Sequence, residues 1–209
     1  LVSLGAREAS DARALAEQCD IVHLCVTGSP QVEQLVQGER GLAQANRPGL
    51  IVIDCSTSDP VSTLAMGELL RASGKVLVDA PLSRTPKEAE ARIEPVLRCW
   101  ASNIVHLGPL GLGHKMKLIN NFIAMGYAAL YAEALAVARK GGLTAEQFHA
   151  VIGSGRMRNG FYDTFMKWTL ERDENAHLFT ISNAHKDMRY FASMANALGA
   201  LHPMQSMVK

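Results

Sequence analysis

Short apolar runs alternate with amphipathic stretches through the first hundred positions, and this alternation predicts parallel strands flanked by helices. Residues 9–18 read as a helix and Ile21-Val22-His23-Leu24-Cys25-Val26 as a buried strand. Ser29 followed by Pro30 supplies a capping side chain and then a proline in the first helical turn, where a missing N–H costs nothing. A helix to about Val36 is expected there. Leu50-Ile51-Val52-Ile53, ending in Asp54, is a second strand, and Ser58-Asp59-Pro60 opens a helix running towards Gly74. Residues 75–78 and 103–107 read as two more strands. The strand ends then carry Thr27-Gly28-Ser29, Ser56-Thr57 and Ala80-Pro81-Leu82-Ser83, on the edge where open α/β sheets bind ligands.

After Gly108-Pro109-Leu110-Gly111-Leu112-Gly113 the pattern changes to long helices without strands. One is expected from about His114 to Lys140, stopped by Gly141-Gly142, since glycine past a helix end accepts the left-handed conformation. Thr144 with Gln147 forms a capping box for the next, and residues 179–198 read as another, with Pro203 beyond. The expected organisation is an α/β domain over residues 1–112, of the doubly wound type, and an all-helical domain over 113–209, joined by the long helix. The glycines before that helix are spaced G-x-x-G-x-G rather than G-x-G-x-x-G, and no acidic residue ends a strand about twenty positions on, so they do not read as a phosphate-binding loop.

Composition narrows the function. The 209 residues are 48% apolar and 20% charged with a net charge of +1, and the basic residues are scattered, which disfavours nucleic acid and acidic membrane surfaces as partners. The apolar run from Phe122 to Ala132 reads as too short to cross a bilayer. Cys19, Cys25, Cys55 and Cys99 show no CxxC pairing and are read as reduced packing residues of a cytoplasmic protein. The seven histidines have no metal-ligand spacing, so no metal site is implied. The first residues carry neither a methionine nor a leader pattern, and the chain is expected to begin within a longer protein.

Lys117, Asn120 and Asn121 fall at i, i+3 and i+4 of the long helix, presenting an ammonium and two amides on one face among apolar neighbours. Partial burial would disfavour the charged lysine and bring it towards a range useful for proton transfer. On spacing alone, a solvated lysine beside helix asparagines is the commoner meaning. Ser56-Thr57 and Ser83 taken singly would be turn or cap residues, and Lys186 a surface charge.

Taken together these segments resemble one family. The run from Gly111 through Lys117 to Asn121 is similar to the catalytic segment of the β-hydroxyacid dehydrogenases, the family of 3-hydroxyisobutyrate dehydrogenase and tartronate semialdehyde reductase. Asp79-Ala80-Pro81-Leu82-Ser83, the loop from Ile53 to Pro60 and Lys186-Asp187 resemble further segments of that family in the same order. The resemblance implies a Rossmann-like domain, incomplete at its start, followed by the helical one. It also implies NAD or NADP as cofactor, a small anionic hydroxy acid or semialdehyde as substrate, and a homodimer or homotetramer. By residue, it implies Lys117 as general acid and base, Ser83, Asn120 and Asn121 on the substrate, and Val26, Thr27, Thr57 and Lys186 on the cofactor side.

Three departures qualify it. The family's G-x-G-x-x-G turn does not precede Leu1, and the segments resembling Lys87-Glu88-Ala89-Glu90 and Ile93-Glu94-Pro95 are almost fused near Ala91 and Arg92. The chain also stops short of one or two final helices. These segments are expected in the intact protein. Thirdly, the family commonly has Gly-Gly after the serine, but here Arg84-Thr85 follows Ser83; in this, and in the run Lys117-Leu118-Ile119-Asn120-Asn121, the chain resembles the sulfolactaldehyde reductase branch. Arg84 offers a planar fork for a carboxylate, sulfonate or phosphate, or else simply faces solvent. The rival from another class is a catalytically silent oligomeric scaffold of the same fold.

Overall fold

The computed structural model describes residues 2–81, 94–99 and 101–208. The chain separates into two compact units, Leu1–Leu118 and Ile119–Lys209. Among the described residues, three parallel strands form the sheet of the first: β1 (Ile21–Leu24), β2 (Ile51–Asp54) and β3 (Val76–Asp79), in that order. The register pairs Ile21 with Ile51 and Ile51 with Val76, and ends with Leu24 beside Asp54 and Asp54 beside Asp79.

Around the sheet lie α1 (Ala12–Gln18), α2 (Ser29–Gln37) and α3 (Pro60–Ala72). Side chains alternate across a strand, so the sheet feeds two cores. Val22, Leu24, Val52 and Leu77 pack with Ala16, Val36, Met66 and Leu70 on one face, while Ile51, Ile53, Val78, Leu97 and Ile104 pack on the other. Central β2 is buried along its whole length, as expected for a parallel strand covered on both faces. Asp59 accepts the Val61 N–H and Pro60 sits in the first turn, as the sequence signal has it, and Asp11, outside the sequence expectations, accepts the Ala14 N–H. Ser29 is not the cap expected of it: it is the first residue of α2, Gly28 precedes it without a side-chain cap, and the Ser29 hydroxyl accepts the Asp59 N–H instead, while Pro30 does fall in the first turn.

The run over 103–107 is not a strand. Its apolar residues serve packing rather than pairing: Ile104 joins the second core without entering the ladder. Its continuation approaches α3 closely, since a Cβ at Gly67 would lie 2.3 Å from Leu110 Cδ2. Ser83 and Arg84, and the junction at Ala91 and Arg92, lie outside the described residues.

Helix α4 (Leu112–Lys140) runs from the first unit into the second. By length and composition, with a mean hydropathy of 1.3 over its most apolar window, it could cross a membrane, so the shorter 122–132 run does not settle that question. Core helices of water-soluble proteins have the same property. Gly142, at φ +87°, follows it as the glycine pair predicts.

In the second unit follow α5 (Ala145–Ile152), α6 (Gly160–Glu171), α7 (Ile181–Ala197) and α8 (Pro203–Val208). The capping box is present in full: Thr144 Oγ1 accepts the Gln147 N–H, and the Gln147 side chain accepts the Thr144 N–H. Helix α6 is outside the sequence expectations. Asn159 caps it, and Tyr162 and Met166 on its apolar face form a core with Tyr131. Phe122 of α4 stacks on Phe191 of α7, ring centroids 4.4 Å apart.

Replacing Thr144 with alanine removes one half of the box and exposes an N–H that α5 cannot satisfy. We expect a loss of about 1 kcal/mol, read as faster amide exchange over 145–152. Unchanged exchange there would show that the box does not hold this helix end.

Candidate active site

Asp54 and Asp79 close β2 and β3 side by side and are about 1% and 0% exposed. A carboxylate so far from water must be satisfied by hydrogen bonds. Asp54 Oδ1 accepts the Ser56 N–H at 2.9 Å, and Oδ2 the Ser58 hydroxyl at 2.9 Å. Asp79 Oδ1 and Oδ2 accept the N–H groups of Gly111 and His114, each at 2.9 Å. The first pair folds the loop after β2 back on its strand; the second fixes the start of α4 over the end of β3. Gly111 takes φ +91°, a conformation that glycine enters freely, to aim its N–H at Asp79.

The loops are joined to each other as well. Ser56 Oγ accepts the Val26 N–H at 3.0 Å, and Ser29 Oγ accepts the Asp59 N–H at 2.8 Å. Val26, exposed Thr27 and half-buried Thr57 therefore stand on one hydrogen-bonded rim at the C-terminal edge of the sheet. Gly28 starts α2 with no side-chain cap on its N-terminal N–H groups. Open α/β sheets bind ligands at this edge, and Val26 also packs into the core. The chain given holds no G-x-G-x-x-G turn for the pyrophosphate.

Half-buried Lys117 lies on α4, one turn after fully buried His114. Asn120 and Asn121 follow on the same helix. In the second unit Asn121 is 7% exposed, and its Nδ2 donates to Asp187 Oδ2 at 2.6 Å, while exposed Asn120 donates to Asn121 Oδ1 at 3.3 Å. Asp187 is buried on α7. Its other oxygen lies 3.2 Å from Lys186 Nζ, near enough for charge attraction though outside hydrogen-bond geometry, and Lys186 also lies over the Tyr190 ring at 5.4 Å. The second unit thus gathers Asn121 and Lys186 at one carboxylate, with Asn120 bonded to Asn121.

The cysteines are free, but Cys25 and Cys99 are exposed, so only Cys19 and Cys55 fit the packing role. Burial, with the charges of Asp54 and Cys25 adding to it, pushes the Cys55 thiol up to about 12. It stays protonated at neutral pH and is no nucleophile. His114 was outside the candidate set, because metal spacing is the wrong question for a histidine that bonds to backbone and hydroxyl groups. The available signal was a histidine at a helix start in a chain where two strands end in aspartate.

Two family models match in succession. The NAD binding domain of 6-phosphogluconate dehydrogenase matches residues 1–93, and the NAD-binding domain of NADP-dependent 3-hydroxyisobutyrate dehydrogenase matches residues 111–209. The chain is 29% identical over 203 residues to the 2-(hydroxymethyl)glutarate dehydrogenase of Eubacterium barkeri, covering 90% of this chain and 67% of that one. It is 25% identical over 219 residues to the 3-sulfolactaldehyde reductase of Escherichia coli K12, covering 98% of this chain and 74% of the other. The crystal structure of 3-hydroxyisobutyrate dehydrogenase from Salmonella typhimurium superimposes with a TM-score of 0.78 at 24% identity over 96% of this chain and 75% of that one, which shows the shared fold. With the two domain matches in order and relatives aligned along most of its length, the chain belongs to the β-hydroxyacid dehydrogenase family of NAD(P)-dependent oxidoreductases.

Proposed function

We propose that this protein interconverts a small 3-hydroxy acid and its semialdehyde, with Lys117 as general acid and base. The observation that carries this reading is the pairing of a half-buried Lys117 with an Asn121, one turn on, whose amide is held by buried Asp187. Nicotinamide, when bound, supplies or takes up the hydride at the carbonyl carbon. In reduction Lys117 Nζ gives a proton to the carbonyl oxygen as negative charge grows on it. In oxidation it takes the hydroxyl proton back.

Asp187 accepts from Asn121 Nδ2, and Asn121 Oδ1 accepts from Asn120, so the Asn121 amide is held at both ends. In this reading Asn121 orients the substrate, with Asn120 beside it and Ser83 holding the acid group. Thr27, Thr57 and Val26 line the cofactor, and Lys186 is a cofactor-side residue. A silent scaffold would have no use for an asparagine fixed by a buried carboxylate next to a lysine. Assembly into a homodimer or homotetramer is part of the proposal. It is supported by exposed apolar residues along α4, among them Ile123, Leu130 and Val137.

Arg84 makes the substrate class sharper: its guanidinium pairs with a second anionic group, so the preferred substrate is a strongly anionic semialdehyde such as a sulfonate. The matching sulfolactaldehyde reductase supports this branch of the family.

Lys117→Ala should lower kcat by about 10²–10⁴-fold while the circular dichroism spectrum and melting temperature stay near wild type. Near-normal turnover in that variant would remove the lysine from the chemistry. Arg84→Ala should raise KM for a sulfonated or dicarboxylic semialdehyde by about 10-fold or more and leave a neutral aldehyde almost unaffected. Equal changes for both substrates would place Arg84 outside the site.

A further inference from the structure

We infer that His114 is a positioning residue that couples the acid–base lysine to the cofactor-side threonine; the inference rests on the roles proposed above for Lys117 and Thr57. Its ring is fully buried, with Nε2 3.1 Å from the Ser56 carbonyl oxygen. A carbonyl oxygen only accepts, so Nε2 carries a proton and donates it. On the other side Nδ1 lies 2.8 Å from Thr63 Oγ1 of α3, a hydroxyl also 3.1 Å from the Asp59 carbonyl. The backbone N–H of His114 is held by Asp79. Asp54 Oδ2 at 3.8 Å and Asp79 Oδ2 at 3.9 Å face the ring from the two strand ends, too far for hydrogen bonds.

One residue thereby touches the ends of β2 and β3, the loop after β2, helix α3 and its own helix. The Ser56 carbonyl belongs to the same rigid peptide unit as the Thr57 nitrogen, so the Nε2 contact fixes the plane from which Thr57 projects. Lys117 follows three residues later, about 4.5 Å along the same helix, so a turn or slide of the first helical turn moves its ammonium equally. An apolar side chain of similar volume would fill the space but leave the Ser56 carbonyl and the Thr63 hydroxyl with one partner fewer in a buried site. Displacement of reacting groups by about 1 Å can cost 10²-fold in rate.

The test compares His114→Leu, His114→Gln and Thr63→Val in the intact protein, measuring NADPH and NADH dissociation constants by fluorescence titration, kcat with a semialdehyde, and melting temperature. His114→Leu, assayed well below its melting temperature, should weaken cofactor binding by about 5-fold and lower kcat by about 10²-fold. Glutamine, which can donate to Ser56 and accept from Thr63, should bring both within about threefold of wild type. Thr63→Val should move both in the same direction by less. Lys117→Ala, by contrast, should lower kcat and leave cofactor affinity unchanged. If wild-type protein turns over no semialdehyde, the functional reading falls, while the dissociation constants still decide whether His114 holds the cofactor loop. A folded His114→Leu variant with both quantities within twofold of wild type overturns the coupling, as does a glutamine variant no better than leucine. Should His114→Leu not fold, Thr63→Val decides, and wild-type values for it overturn the proposal.

Discussion

Two carboxylates shut away from water, Asp54 and Asp79, set the terms for the rest of the first unit. They end neighbouring strands in register, so their negative charges are brought together by the same pairing that builds the sheet. Burying such groups costs several kcal/mol each unless donors converge on them. The chain meets that demand with backbone N–H groups from Ser56, Gly111 and His114 and the Ser58 hydroxyl. A loop after β2 and a helix start after β3 that would otherwise be free to wander are thereby given one arrangement. The site inherits its geometry from the satisfaction of these two anions.

The helical unit repeats the device on a smaller scale. Asp187 is buried on α7 and takes up the Asn121 amide, so that a side chain able to rotate about two bonds is held in one orientation. In both units an aspartate with almost no exposure decides where neighbouring polar groups point. This fits a general pattern in which groups around a reacting centre must themselves be held by a further layer of hydrogen bonds.

Much of this was legible in the chain. The apolar runs ending at Asp54 and near Asp79 give the strands, Pro30 and Asp59-Pro60 give two helix starts, and Thr144 with Gln147 gives a third, because each signal is local and made between neighbouring residues; Ser29, read as a cap, bonds instead to the distant Asp59. The run over 103–107 misleads because apolarity marks burial and not pairing, and Ile104 is buried without a ladder. Lys117 and Asn121 were found through helical spacing and resemblance. His114 was not, since its partners Ser56 and Thr63 lie more than fifty positions away in sequence, a distance over which no local pattern speaks. Asp187 stood in a recognised pair with Lys186, but its grip on Asn121 depends on two helices meeting in space.

The parallel sheet also shapes how the protein reaches its native state. Each ladder joins residues separated by a full crossover, Ile21 to Ile51 and Ile51 to Val76, so no strand pair can be made from a tight turn. Chain-closure entropy is spent before the first ladder bond is gained, whereas helices such as α5 and α6 assemble from neighbours in sequence. The first unit therefore tends to acquire its order late and cooperatively, with β2 as the strand both others wait for. A newly made chain passes through a period in which Ile51, Val52 and Ile53 have no cover, and during that interval it is most in need of protection from other chains.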